Sequence, residues 1–275
     1  MNNITFAFLL TIIAGTATGV GGLAILFSKK TSKKFLSICL SFSAGVMLYI
    51  SFGEILLEAF EDLEYALGDG VGYLVATIAF FAGILIVAAI DKFIPHNDEV
   101  AEFAEYSTQD TSDAIIQRDK KELKRTGVMA AIAIAIHNLP EGIVIFMAAL
   151  HDPALGIAIA IAIILHNIPE GIATAAPIYY STGSKVKAFL FAFSTGYVQL
   201  IGAFIAWFLM QNVFDDMEAA FGIAFALVAG IMVYVAIHQL LPAAQKFGKH
   251  HVVMKWLFTG MAVMAVSLVA LEFFF

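Results

Sequence analysis

Residues 131–143 read AIAIAIHNLPEGI and residues 160–172 read AIAIILHNIPEGI, identical at ten of thirteen positions. Each is an apolar run interrupted by one polar cluster: His137, Asn138, Pro140 and Glu141 in the first, His166, Asn167, Pro169 and Glu170 in the second. What such runs are depends on the rest of the chain. Of its 275 residues, 61% are hydrophobic and 13% are charged. A soluble domain is about half apolar and about a quarter charged, so this composition belongs to a membrane protein. A net charge of −7 argues against nucleic-acid binding, and the single Cys39 rules out an intrachain disulfide.

A hydrocarbon core about 30 Å thick takes about 20 apolar residues per helix. Apolar runs between polar breaks predict eight spans, at 4–28, 35–59, 71–94, 127–150, 153–178, 186–210, 217–244 and 252–274. The first is not a cleaved signal, having no basic n-region and exceeding an h-region in length. The long polar segment 95–126 cannot cross. All 15 Lys and Arg fall on one side of this arrangement: Lys29 to Lys34, Lys92, Arg118 to Arg125, Lys185 and Lys187, and Lys246 to Lys255. The other side carries acids, among them Glu61, Asp62, Asp152 and Asp215. The positive-inside rule then makes 95–126 a cytoplasmic loop and leaves both termini non-cytoplasmic. The predicted fold is an all-α integral membrane protein of eight transmembrane helices, 1–275 forming a single transmembrane domain in the cell membrane.

The two opening stretches lie in consecutive, oppositely directed spans. A fainter similarity joins 44–59, AGVMLYISFGEILLEA, to 229–244, AGIMVYVAIHQLLPAA, again in spans of opposite direction. Both are marks of an inverted repeat, which in secondary transporters places the binding site near the midplane. Within each central cluster His and Glu are four residues apart, hence on one helix face. A carboxylate at that depth costs several kcal/mol, and two in adjacent helices also repel. A divalent cation offsets both costs, and imidazole with carboxylate is a ligand set for zinc and its transition-metal neighbours. Pro140 and Pro169 free backbone carbonyls four residues earlier, which at this depth suits the lining of a cavity. Simple tethering of two helices, or a proton relay, would not require two copies of the whole cluster.

HNLPEG and HNIPEG in the fourth and fifth of eight spans resemble the paired HNxPEG motifs of the ZIP (Zrt/Irt-like) divalent-metal transporters, bacterial zinc-uptake type. The resemblance runs over essentially the whole chain. It implies import of Zn²⁺, with Fe²⁺, Mn²⁺, Co²⁺ or Cd²⁺ as further cargo, and a main metal site at His137, Glu141, His166 and Glu170. It also implies a neighbouring second site at Asn138, Asn167 and a carboxylate from span six. Here that position is Gln199. A neutral amide cannot offset the same desolvation, so this second site is expected to be weak or transient. Span seven carries Gln239 where the family often has Glu, leaving His238 as the ionisable group near the inner end. The inner loop holds only His96 instead of a His-rich tract.

Glu54 and Glu58 read as an outer access path and His238 as part of the way out. Ser51 and Thr195 read as hydrogen-bonding residues, Gly15, Gly19 and Gly22 as close helix packing, and Asp91 with Lys92 as an interfacial anchor. Expected partners are divalent metal cations and the lipid bilayer, without nucleic acid; a homodimer is compatible. The chain is not read as an enzyme. The alternative, a membrane-embedded zinc-dependent hydrolase, lacks HExxH. A retinal-type receptor would need a mid-span Lys. No nucleotide motif is present for a pump.

Overall fold

The computed structural model describes residues 3–27, 33–92, 135, 138–212 and 217–274. His137, the loop 95–126 with His96, and the start of the span at 127–150 lie outside the described residues. Within them all regular structure is helical. The order is α1 (Asn3–Phe27), α2 (Lys33–Ile50), a π-helical turn (Ser51–Ile55), α3 (Leu56–Leu67) and α4 (Val71–Asp91). Then come α5 (Asn138–His151), α6 (Pro153–Thr182), α7 (Lys185–Asn212), α8 (Met217–Tyr234), a second π turn (Val235–Leu240), α9 (Leu241–Phe247) and α10 (His250–Phe274). Seven segments are long and apolar enough to cross a membrane, α2 with α3 and α8 with α9 each counting once; α5 is a shorter apolar helix. The protein is therefore a multi-pass membrane protein. The outward faces of α4 and α10 expose Phe81, Leu85, Val266 and Phe273, a surface suited to lipid.

Local chemistry sets the breaks. Gly68 and Gly70, at φ 85° and 78°, turn α3 into α4. Asp152 caps α6 by accepting from the Ala154 amide at 2.8 Å, and Pro153 occupies the first turn. This makes the α5–α6 connection a tight hairpin.

The helices divide into two groups. In one, α1 packs on α6 and α7, and α5 joins through Gly142 and Gly202, described below. In the other, α2 packs on α10, α4 on α8, and α3 on both α4 and α8. The seam between the groups runs mainly where α2 lies on α6.

Each group is fastened by reciprocal glycine pairs, in which a Cβ on either glycine would overlap a carbonyl on the opposing helix. Gly15 faces the Gly196 carbonyl and Gly196 that of Gly15; Gly21 faces Ile168 and Gly171 faces Thr18. Gly142 faces Gln199 and Gly202 faces Leu139; Gly45 faces Leu257 and Gly260 faces Phe42; Gly83 faces Leu227 and Gly230 faces Phe80. Small residues admit such backbone approach in lipid, where no hydrophobic force draws helices together. The pairs also exchange under the sequence repeats. Position 44 aligns with 229, so Gly45 corresponds to Gly230; position 131 aligns with 160, so Gly142 corresponds to Gly171. The same alignment lays the first π turn over 236–240, inside the second. The faint repeat thus has structural counterparts. The packing expected of Gly15, Gly19 and Gly22 is also present, Gly19 lying on the Phe193 ring and Gly22 on Ala192.

Candidate metal centre

The α5–α6 hairpin brings the described residues of its two polar clusters together inside the first group. Glu141, His166, Glu170, Asn138, Asn167 and Gln199 are all fully buried. His166 Nε2 lies 2.8 Å from Glu141 Oε1, and Gln199 Nε2 donates to Glu141 Oε2 at 2.7 Å. Glu141 is therefore a hub for α5, α6 and α7. Glu170 follows His166 by one turn on α6 and accepts from Ser43 Oγ of α2 at 3.3 Å. This contact crosses the seam.

The amides are oriented consistently. Asn138 Nδ2 donates to the Thr195 carbonyl and Asn167 Nδ2 to the Ala14 carbonyl, both at 2.9 Å. Their donors are thus committed to the scaffold. Asn138 Oδ1, Asn167 Oδ1, Gln199 Oε1 and His166 Nδ1 are buried and make no hydrogen bond with any described residue. Leaving buried polar atoms unmatched costs about 1–3 kcal/mol each. Uncommitted oxygens beside two carboxylates and an imidazole are the donor set of a hard-to-borderline cation.

At one end of the helices, α3 carries Glu58 and Asp62 toward His151, the last residue of α5; His151 Nε2 is 3.1 Å from Glu58 and 3.5 Å from Asp62. Glu54 sits in the first π turn, partly exposed. At the other end Asp91 accepts from Tyr234 Oη and Gln239 Nε2, each at 3.0 Å, with His238 Nε2 at 3.6 Å. Asp91 is buried, so it differs from the interfacial anchor expected of it. Ser51 and Thr195 bond to carbonyls of their own helices, Met47 and Ala192. Ser43, Asp62, His151 and Tyr234 were not singled out as site residues by the sequence. Ser43, Asp62 and His151 belong to no motif, and Tyr234 lies in the fainter repeat opposite Tyr49; the four-residue spacing of Glu58 and Asp62 is the one signal for their shared face.

A multi-pass helical protein with a buried imidazole–carboxylate–amide set, flanked by polar clusters toward each end, is built as a membrane transporter and not as an enzyme. The ZIP Zinc transporter family model matches residues 4–125 and 96–268. A Clostridium perfringens protein called Zinc transporter ZupT is 48% identical over 278 residues, covering 98% of this chain and 96% of the relative. Proteins of the same name from Nitratidesulfovibrio vulgaris (48%, 97% of each chain) and Oceanobacillus iheyensis (46%, 98% of this chain and 100% of the relative) match equally broadly. The chain belongs to the ZIP zinc transporter family.

Proposed function

We propose that the protein carries divalent transition-metal cations, Zn²⁺ foremost and Fe²⁺, Mn²⁺, Co²⁺ and Cd²⁺ as further cargo, across the cell membrane into the cytoplasm. The proposal takes the chain as a single eight-span domain with both termini outside the cytoplasm and 95–126 within it. The observation that carries it is the buried pair Glu141 and Glu170, held with His166 among amide oxygens that no described residue satisfies. His137 completes the main site in this reading, on its four-residue spacing from Glu141. Glu54 and Glu58 serve the way in, and His238 the way out. Imidazole must be neutral and carboxylate ionised to ligate. Protons therefore compete with the cation for such ligands, and uptake weakens as external pH falls. Radiotracer zinc uptake into proteoliposomes tests the reading: wild type accumulates metal, and His137→Ala and Glu170→Ala do not. Transport by both variants at the wild-type rate would overturn it.

Asn138, Asn167 and Gln199 offer only neutral oxygens to the second position. In Gln199→Glu a second carboxylate would stand where the amide now donates to Glu141 at 2.7 Å. That placement is tolerable only with a cation or proton between them. The variant should retain metal more tightly, by about tenfold for each 1.4 kcal/mol recovered. Equal stoichiometry and affinity by calorimetry would contradict this.

A further inference from the structure

We propose that Glu58, Asp62 and His151 form a separate divalent-cation site at the outer mouth, one that joins the two helix groups. The inference rests on the transport reading only for its direction; binding at this site stands on its own geometry. One donor atom from each of the three residues lies within 4.8 Å of the others. Imidazole nitrogen with two carboxylate oxygens is a ligand set for zinc and its transition-metal neighbours, and a fourth position stays available to water.

The site is built rather than incidental. Glu58 and Asp62 are one turn apart on α3, so both reach the same point. Asp62 is buried because Gly222 of α8 lets α3 approach: a Cβ there would lie 3.1 Å from Asp62 Cβ and 2.6 Å from Leu63 Cγ. His151 is fixed from two directions. Its ring meets Phe221 edge-on with centroids 5.0 Å apart, and the hairpin beyond it is closed by Gly156 against Ala149. Neighbouring Asp152 is committed to the α6 N-terminus and does not compete for the ring.

Charge balance points to a cation. Two carboxylates converge on one imidazole, which supplies at most one positive charge. Glu61 and Asp152 add further acids nearby. Among the described residues every Lys lies toward the opposite ends of these helices, so acids outnumber bases at this mouth. Burying carboxylates close to one another is expensive, and a doubly charged guest lowers that cost. Glu58 and Asp62 belong to the α2–α4 side of the seam and His151 to the α5–α6 side. A cation held here therefore binds this relative placement of the two groups and disfavours any placement that parts them.

The test is Co²⁺ and Zn²⁺ binding to the purified full-length protein in nanodiscs, by visible absorption and calorimetry. His151→Phe keeps a ring against Phe221 but removes the ligand; Asp62→Asn keeps shape but removes charge. Each should weaken one class of sites by about tenfold or more, the scale on which metal ligation responds to lost support. His151→Cys, which restores a ligand, should recover it. Glu170→Gln should lose the central class and keep this one. Unchanged metal count and affinity in folded His151→Phe and Asp62→Asn would overturn the proposal, as would failure of His151→Cys to recover binding. A wild type that binds at the mouth but transports nothing would instead defeat the transport reading and leave this one standing.

Discussion

Glu141→Gln is expected to abolish metal uptake while leaving the protein folded. The substitution keeps the shape of a side chain that meets His166 at 2.8 Å and Gln199 at 2.7 Å. It removes the charge that a cation needs, and it places an amide where two buried partners had a carboxylate. Loss of groups that merely orient a metal ligand costs about 10–100-fold, so losing the hub ligand should cost uptake at least about 100-fold. Glu141→Ala should abolish uptake as well, and also lower the melting temperature, since it strands two buried polar partners at about 1–3 kcal/mol each. Comparing the variants separates chemistry from folding. Tracer uptake in proteoliposomes and thermal melting in detergent are the measurements. Near-normal uptake by a folded Glu141→Gln protein would remove the carboxylate from the transport site.

Gly142→Ala should have the largest effect on folding. Gly142 follows Glu141 directly, and its Cα abuts the α7 backbone at Gln199. An added Cβ would overlap the Gln199 carbonyl oxygen and lie 2.5 Å from its carbon and 2.6 Å from its Cα. Overpacking an interior usually costs about 1–3 kcal/mol. Here the obstacle is backbone on a helix that Gly202 binds to Leu139 from the other direction, so no side chain can swing clear. Separation of α5 from α7 would also draw Gln199 off Glu141. The expected result is little or no monodisperse protein in membrane extracts by size-exclusion chromatography. Gly68→Ala is the steric control: nothing lies within 4 Å of its Cβ, and its cost is that of a Gly-favouring backbone at φ 85° and ψ 157° alone, about 1–3 kcal/mol. Equal yield from Gly142→Ala and wild type would mean that α5 and α7 do not meet as described.

Patterns that repeat were legible in the sequence. The doubled cluster located Glu141, His166 and Glu170, and all three are buried together. Apolar runs located the helices, because in lipid the backbone must satisfy itself within each span. What escaped was whatever depends on a partner from another helix. Asp62 was read as an outer acid, since the apolar run was closed at residue 59; the helix continues to Leu67 and buries Asp62 against α8. His151 has no motif, and its meaning comes from α3. Ser43 resembles any small residue in a span until Glu170 is seen across from it. Asp91 at a helix end looks solvated until Tyr234 and Gln239 close over it. The π turns leave no compositional trace; only the alignment of 44–59 with 229–244 marks their shared position.

The glycine pairs have a mechanical consequence. Every close neighbour of a described glycine belongs to that glycine's own group, so each half is stiff and the plane between them is where the molecule yields. Side-chain pairs described across that plane run through Glu170, Glu58 and Asp62, the same carboxylates that would grip the cargo, and Ser43 also donates to the His166 carbonyl at 3.4 Å. Loading and unloading then change the adhesion between two hard bodies, and the ion acts as its own clutch.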